Sequence, residues 1–404
     1  MYIKRELEKN INDFLYDKEI LAVIGSRQVG KTTLINKCLD KLKDKNINRL
    51  SFDDLEISML FKENIKAFIE KYVKGYDIVF IDEIQYIKDS GQKLKFIYDT
   101  IDKVKLIISG SSATEMSIQS IKYLVGRIIV FELQTLSFKE FLRYKDEKLY
   151  NICVKQLFSS QIIIETNRYI VEYILFGGYP RVVLENNLSK KKEILKNIFN
   201  TYLLKEISEI LKYKNIRVIE KLVKFLASQI GGIINYQDLS AKVDISIYEI
   251  KNALYILEKT FICSYASNYH SNKQTELVKS PKVFFYDLGL RNVVLNLFEE
   301  DAITGNMYEN FIASQLIRNN IKLKYWKTKS HAEVDFIIEN GIDIKGIEVK
   351  SYLKKDVVEK SMRSFIEKYK PTECIILSKS YKNKREINNI GVLFLPYIIY
   401  LFKV

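Results

Sequence analysis

Residues 21–34 read Leu-Ala-Val-Ile-Gly-Ser-Arg-Gln-Val-Gly-Lys-Thr-Thr-Leu. The apolar run Leu21 to Ile24 leads directly into Gly25-x-x-x-x-Gly30-Lys31-Thr32, and a helical pattern follows. Strand, glycine loop and helix in that order make a phosphate-binding loop and little else. Gly25 and Gly30 permit backbone angles that a side chain would forbid, so successive N–H groups can turn inward on phosphate oxygens. The expected cradle is Gly25, Ser26, Arg27, Gln28, Val29, Gly30, Lys31, Thr32 and Thr33. It ends at a helix N-terminus, where unpaired N–H groups and the dipole favour an anion. Lys31 is placed to reach the β- and γ-phosphates, and the Thr32 hydroxyl to complete a Mg²⁺ shell. The alternative, a chance glycine turn before an amphipathic helix, does not explain the flanking pattern. A nucleoside triphosphate is the expected ligand.

The loop needs an acidic partner, and Tyr76-Asp-Ile-Val-Phe-Ile-Asp-Glu-Ile-Gln85 supplies one. Four consecutive apolar residues mark a strand buried on both faces, delivering Asp82 and Glu83 at its C-terminal end. Asp82 is expected to hold Mg²⁺ through its water shell, and Glu83 to polarise the water that attacks the γ-phosphate. Lys105-Leu-Ile-Ile-Ser-Gly-Ser-Ser112 reads as a third strand with a polar end, so Ser109 or Ser111 can sense the γ-phosphate unless the stretch is a simple turn. Arg127, in Leu124-Val-Gly-Arg127, is either a surface arginine before a strand or a group that neutralises transition-state charge. The second role could be played in cis or across a subunit contact, the latter requiring a homo-oligomer. The adjacent Asp82-Glu83 pair and the polar-ended strand at Ser109 together predict an extra strand between the loop strand and the acidic strand.

Further along, strand-like runs at Leu21–Ile24, Arg49–Phe52, Ile78–Ile81, Leu106–Ser109 and Ile128–Phe131 alternate with helical segments, after a leading helix in residues 1–20. Such alternation predicts a parallel sheet covered by helices on both faces. From Ser137 to about residue 215 the pattern is mainly helical, interrupted by Phe176-Gly-Gly-Tyr-Pro180. Then come helices at Val218–Gln229, Tyr236–Val243 and Ser246–Lys259, a strand at Phe261–Ala266, a polar tip, and a further strand near Leu277. Helix, turn, helix and hairpin is the order of a winged helix, a module that either reads DNA through Ser246–Lys259 or serves only as packing. The last stretch runs helix (Met307–Asn319), strands (Lys322–Trp326, Glu333–Ile338, Ile344–Lys350), helix (Val357–Lys368) and strands (Glu373–Leu377, Gly391–Leu395). The expected divisions are 1–135, 136–215, 216–280 and 281–404.

Composition excludes some classes. With 404 residues, 47% of them hydrophobic, the chain can bury sizeable cores in two or three domains. Its net charge of +14 suits a polyanionic partner or simply a basic surface. Cys38, Cys153, Cys263 and Cys374 are scattered, which argues against a zinc site or disulfide framework and fits a reducing cytosol. The charged start is no signal peptide. The longest apolar stretch, Leu393 to Phe402, is too short to span a bilayer and reads as a buried strand, so a cytoplasmic protein with no membrane association is expected.

The C-terminal strands carry chemistry of their own. In Ile347-Glu-Val-Lys350, Glu348 and Lys350 share one face of a strand while Ile347 and Val349 pack inward. Asp335, across a turn at Asn340-Gly341, can meet Glu348 from the neighbouring strand. Two carboxylates so placed make a hard-oxygen site for Mg²⁺ or Mn²⁺, with Glu309 as a third. Lys350 can orient or activate a water against a phosphodiester while the metal stabilises the developing charge. A solvated strand face with an ion pair explains the same spacing. His270 and His331 are the only histidines; His331 lies near Asp335 in sequence, but a polar loop position accounts for it equally well.

Gly-Ser-Arg-Gln-Val-Gly-Lys-Thr-Thr, Phe-Ile-Asp-Glu-Ile-Gln, Ile-Ser-Gly-Ser-Ser and Leu-Val-Gly-Arg, followed by Leu-Ser-Phe-Lys-Glu-Phe, resemble one family of prokaryotic AAA-type ATPases. Its members carry a C-terminal domain of unknown function related to the PD-(D/E)XK nucleases. Phe176-Gly-Gly-Tyr-Pro, Phe285-Tyr-Asp-Leu-Gly-Leu and Glu333-Val-Asp-Phe with Ile347-Glu-Val-Lys-Ser extend the likeness over most of the chain. Lys205-Glu206 departs from the Arg-Asp pair usual there, so any role tied to that pair is in doubt here. The resemblance implies an α/β protein: a P-loop NTPase sheet with a helical lid, a winged-helix module and a restriction-endonuclease-like domain. It implies ATP with Mg²⁺, Mg²⁺ or Mn²⁺ in the C-terminal site, and double-stranded DNA as partner. The expected function is ATP hydrolysis coupled to a DNA-directed nuclease-like module. The alternative is a regulatory ATPase switch whose C-terminal domain is inactive and only binds a protein or DNA partner.

Overall fold

The computed structural model describes residues 1–403 apart from Lys88, 112–122 and 212–215, with backbone alone for 201–203, 205, 206, 208, 209, 273, 275 and 277. Ser112 and the side chains of Lys205, Glu206 and Leu277 thus lie outside the described residues. The chain divides into two units: residues 1–135 with short segments at 205–213 and 259–261, and the remainder.

In the first unit β1 (Ile20–Gly25), β2 (Ile47–Ser51), β3 (Ile78–Asp82), β4 (Lys105–Ser111) and β5 (Ile128–Glu132) form a parallel sheet in the order β2-β3-β4-β1-β5. The extra strand predicted between loop strand and acidic strand is β4. Every residue of β3 and β4 is buried, which is why both read as unbroken apolar runs. Helices Lys31–Leu39, Leu55–Glu63, Ile65–Tyr72 and Ser90–Thr100 make the crossovers. Phe52, Phe61 and Phe68 pack ring against ring at 4.8–6.5 Å, part of a core continuing through Val79, Ile81, Leu94 and Ile108. Lys105, buried at the start of β4, donates to the carbonyls of Phe14, Asp17 and Glu19 at 2.6–2.9 Å and so ties the end of the leading helix to the sheet. Because the strands are parallel, the ends of β1, β3 and β4 present Gly25, Asp82 and Ser111 along one edge.

In the second unit a helical stretch begins at Phe138, started by a capping box in which Ser137 and Glu140 each satisfy the other's backbone N–H. Two motifs singled out in the sequence interlock there. The Asp287 carboxylate accepts the Gly178 N–H at 2.8 Å and the Leu290 N–H at 3.1 Å. Asn292 donates to the carbonyls of Ile174 and Leu175. Gly178 and Gly289 are glycines because backbone meets backbone: a Cβ on Gly289 would lie 2.1 Å from the Phe176 carbonyl oxygen, and one on Gly178 would lie 2.4 Å from that of Leu136.

Helices Ile216–Ser228, Tyr236–Val243 and Ile247–Lys259 match the predicted trio, and Ser246 and Glu249 form a second capping box. The following hairpin differs from expectation. β6 (Cys263–Asn268) is followed by a helical turn at Lys273–Val278 where a strand near Leu277 was predicted, and its antiparallel partner β7 comes later, at Lys282–Phe285. Asn272 starts that turn by accepting the Gln274 N–H, a local cap that overrides the strand pattern. β6 also pairs with β8 (Lys324–Lys327), which pairs with β9 (Glu333–Val334), so strands on both sides of residue 280 share the sheet β7-β6-β8-β9.

The chain then changes sheets at Asp335. β10 (Phe336–Asn340), β11 (Asp343–Val349), β12 (Glu373–Ser378), β13 (Asn383–Ile387) and β14 (Ile390–Pro396) form a second sheet, ordered β10-β11-β12-β14-β13. Gly341, at φ +62°, makes the tight β10–β11 turn. The apolar stretch from Leu393 is only half strand: after Pro396 it continues as the buried helix Tyr397–Leu401. Among the described residues no helix is long and apolar enough to cross a membrane.

Candidate functional site

At the common edge of the first sheet, the sequence-predicted residues converge. The loop turns through Gln28 and Gly30, both at positive φ, and the helix starts at Lys31. Gly25 has another reason to be glycine than the backbone freedom expected of it: a Cβ there would lie 2.0 Å from the Leu133 carbonyl oxygen. Lys31 Nζ donates to the carbonyls of Gly25 and Ser26 at 3.1 and 3.0 Å, which folds the ammonium over the loop. Val29 is buried within the loop and Arg27 is partly so, whereas Thr32 and Thr33 are exposed at the start of the helix.

Asp82 is the hub of the site. Its Oδ2 accepts the Thr32 hydroxyl at 2.6 Å, and its Oδ1 accepts the Glu83 N–H at 3.0 Å and the Ser109 hydroxyl. Of the two sensing candidates, Ser109 therefore touches the acidic strand directly. Glu83 stands in the left-handed region, φ 58° and ψ 43°, a conformation that costs a non-glycine residue about 1–3 kcal/mol and turns its side chain away from the strand direction. The residues fit a Mg²⁺–triphosphate. The Ser26 hydroxyl is buried inside the loop without a hydrogen-bond partner, and the Thr32 hydroxyl with the Asp82 carboxylate makes a hard-oxygen pair.

Arg127 is placed elsewhere. Its carbonyl accepts the N–H of Ile20, the first residue of β1, so it sits at the opposite edge of the sheet, about 16 Å of strand from Gly25. Its guanidinium pairs with Asp99 at 2.8 Å beside the Tyr98 ring. The cis role considered for it is excluded by that geometry.

A second group of charged side chains gathers where the chain changes sheets. Asp335 stands between β9 and β10, just before the first β10–β11 pair Phe336↔Ile347, and its Oδ2 accepts the Val349 N–H at 2.8 Å. Glu348 is 4% exposed, not a solvated strand face; its Oε1 pairs with Lys350 at 2.7 Å while its Oε2 has no hydrogen-bond partner. Lys350 also meets Glu359 at 2.7 Å, and its carbonyl accepts the Tyr397 hydroxyl at 2.5 Å. Glu309, expected as a third metal carboxylate, is engaged by Lys282 at 3.1 Å, a contact nothing in the sequence signalled. Lys282 pairs with Glu333 as well, at 2.6 Å. Among the described residues no three His, Cys, Asp or Glu converge as a metal-ligand set, and His331 is exposed at a left-handed turn outside the group.

Burial, reinforced by the neighbouring carboxylates, holds Glu309, Glu348 and Asp335 above their ordinary range, against the pull of Lys282 and Lys350. Burial would lower the two lysines, but the carboxylates beside them win and raise both.

Residues 17–142 match the family model described as an AAA domain. They form a P-loop domain of the AAA type. Beyond this AAA domain, residues 167–301 and 304–398 match two domains of unknown function. An uncharacterized protein of Haemophilus influenzae is 26% identical over 97% of this chain and 96% of its own length. One of Methanocaldococcus jannaschii is 25% identical over 82% of this chain and 75% of its own. Among solved structures, the Thermotoga maritima RuvB Holliday junction branch migration motor is similar at 19% identity, covering 65% of this chain and 89% of that one, with a TM-score of 0.33.

Two residues of the first unit were not singled out from the sequence. Arg5 donates to the carbonyls of Val29 at 2.9 Å and Gln134 at 2.7 Å, bracing the phosphate loop from behind. Its distance from the motif hid it. Gln85 was legible as the end of Asp-Glu-Ile-Gln, but its task was not. Its amide nitrogen donates to Glu83 Oε2, and its oxygen accepts the Ser111 N–H at 3.0 Å. A Cβ on Gly110 would lie 2.8 Å from that same oxygen, so the glycine leaves the room that the amide occupies. Gln85→Ala is expected to lower ATP turnover about 10-fold or more with little change in nucleotide affinity, since it frees the Glu83 carboxylate without touching the loop. Steady-state kinetics with a separate nucleotide-binding titration check this; equal loss in affinity would contradict it.

Proposed function

We propose that this chain is an ATP-hydrolysing AAA-type protein whose nucleotide state governs a metal-dependent, DNA-directed nuclease-like site in its C-terminal region. The observation that carries the reading is the convergence of Thr32, Glu83 and Ser109 on Asp82 at the mouth of the phosphate loop. Lys31 leaves the loop carbonyls to draw charge from the β- and γ-phosphates. Glu83 accepts a proton from the water whose oxygen attacks the γ-phosphorus as the bond to the β-phosphate oxygen breaks. Thr32 and Asp82 would hold Mg²⁺, which neutralises developing phosphate charge. Ser109 ties β4 to Asp82 and so to the nucleotide's state. Arg127 could assist only from another copy in a homo-oligomer.

For the C-terminal region, support comes from Asp335, which accepts the N–H of Val349 next to Glu348, the unpartnered Glu348 Oε2, and Lys350 beside it. These residues would hold Mg²⁺ or Mn²⁺, which supplies charge stabilisation at a phosphodiester, while Lys350 orients the attacking water. Double-stranded DNA fits the exposed face of helix Ile247–Lys259, where Tyr248, Lys251, Asn252, Tyr255 and Lys259 are all exposed. A cytoplasmic location agrees with four free, buried cysteines.

Plasmid incubated with the full chain and Mg²⁺ or Mn²⁺, with and without ATP, should be cut, and Asp335→Ala should reduce cutting to background. Intact plasmid throughout, with Asp335→Ala indistinguishable from the unaltered chain, would sink the nuclease half. The second reading, an ATPase switch whose C-terminal region only binds a protein or DNA partner, is favoured by Glu309's engagement with Lys282. It requires Lys350→Ala to leave every activity unchanged while Lys31→Ala abolishes ATP turnover.

A further inference from the structure

The C-terminal acidic group contains its own cation. Lys282, on β7, is 1% exposed, and its ammonium lies between Glu309 at 3.1 Å and Glu333 at 2.6 Å, over the Tyr325 ring at 5.5 Å. A buried ammonium persists only when paired and held, and here three contacts hold it. The other oxygen of Glu333 is taken by Lys327 at 2.6 Å. The other oxygen of Glu309 lies against Gly231, where an added Cβ would come within 2.7 Å. Glu309 and Glu333 are thus already neutralised and confined. Asp335 and Glu348 differ: Glu348 keeps a buried oxygen with no partner, and Asp335 is tied to the backbone of the next residue, Val349.

The geometry separates the two halves of the group: Lys282 already occupies the space between Glu309 and Glu333, whereas Lys350 meets Glu348 through one oxygen only.

We propose that this site takes a single divalent cation, between Asp335 and Glu348, and that Lys282 stands in permanently for a second. The inference rests on the metal-site reading above and specifies its stoichiometry. It separates the carboxylates into a ligand pair and a structural pair: Glu309 positions Lys282 and does not ligate metal.

Mn²⁺ titration of the nucleotide-free full chain, with free ion read from its electron paramagnetic resonance signal, tests this without relying on cleavage. The ions that count are those removed by Asp335→Asn, so any Mn²⁺ held at Thr32 and Asp82 does not interfere. One such ion per chain is expected, lost also in Glu348→Gln, and retained in Glu309→Gln and in Lys282→Arg. Lys282→Gln, which removes the ammonium from between Glu309 and Glu333, should take up two. Two ions in the unaltered chain, loss of the ion in Glu309→Gln, or a folded Lys282→Gln that still takes one would overturn the assignment while leaving the metal reading intact. Should Lys282→Gln fail to fold, the unaltered chain and Glu309→Gln still decide. No ion sensitive to Asp335→Asn would end the metal reading itself, and this inference with it.

Discussion

ATP turnover by the Glu83→Gln chain is expected to fall by roughly 10²- to 10⁴-fold, with nucleotide binding retained. The amide keeps the size of the carboxylate and can still meet Gln85, but it cannot accept a proton from the attacking water. Nothing in the phosphate loop changes: Lys31, Ser26 and the Thr32–Asp82 contact lie outside the replaced group. Binding and turnover should therefore separate cleanly, whereas Lys31→Ala should harm both. Turnover by Glu83→Gln at the unaltered rate would show that another group takes the proton. The left-handed backbone at Glu83 makes the position unusual for its class, since the strain is tolerated only where surrounding contacts enforce it.

Gly289→Ala should be the most damaging single methyl in the chain's second unit. The new Cβ would meet the Phe176 carbonyl oxygen at 2.1 Å, its carbon at 2.4 Å and the Gly177 nitrogen at 2.8 Å, all backbone atoms with nowhere to turn. Relief requires moving helix Leu288–Leu295 off the end of helix Ser160–Phe176, which would pull Asp287 from Gly178 and Asn292 from two carbonyls. Overpacking of this kind costs about 3 kcal/mol or more, equivalent to a fall in Tm of about 6–12 °C for a unit of this size. Gly305→Ala makes the control, because a Cβ there meets nothing within 4 Å. Equal melting temperatures for the two variants would refute the interlock.

The parts of this molecule that obey local rules were legible. Parallel strands, buried on both faces, advertise themselves as Ile-Val-Phe-Ile or Leu-Ile-Ile, and Gly-x-x-x-x-Gly-Lys-Thr states its own geometry. Even the position of β4 could be inferred, because Asp82-Glu83 and Ser109 must reach one edge. The cis option for Arg127 was avoidable: a residue before a strand of a parallel sheet lies at the edge away from the phosphate loop. Other features depend on contacts far apart in sequence. Gly25 answers to Leu133, Arg5 to Val29 and Gln134, and Lys282 to Glu309 and Glu333. In a chain with 64 Lys and Arg, no pattern distinguishes the lysines that folding buries among carboxylates, Lys282 and Lys324 among them. The turn at Lys273–Val278 was missed for the opposite reason, since a single capping asparagine outweighs a short apolar run.

The pairing of β6 with β7 has a mechanical side. Ala266 stands opposite Lys282 in that register, and β6 follows helix Ile247–Lys259 after only three residues. A load applied to that helix, by a DNA duplex or any other partner seated on Tyr248 and Tyr255, passes through one short strand into the backbone carrying the buried ammonium. Lys282, with Glu309 and Glu333 against it, is therefore the place where such a load would arrive.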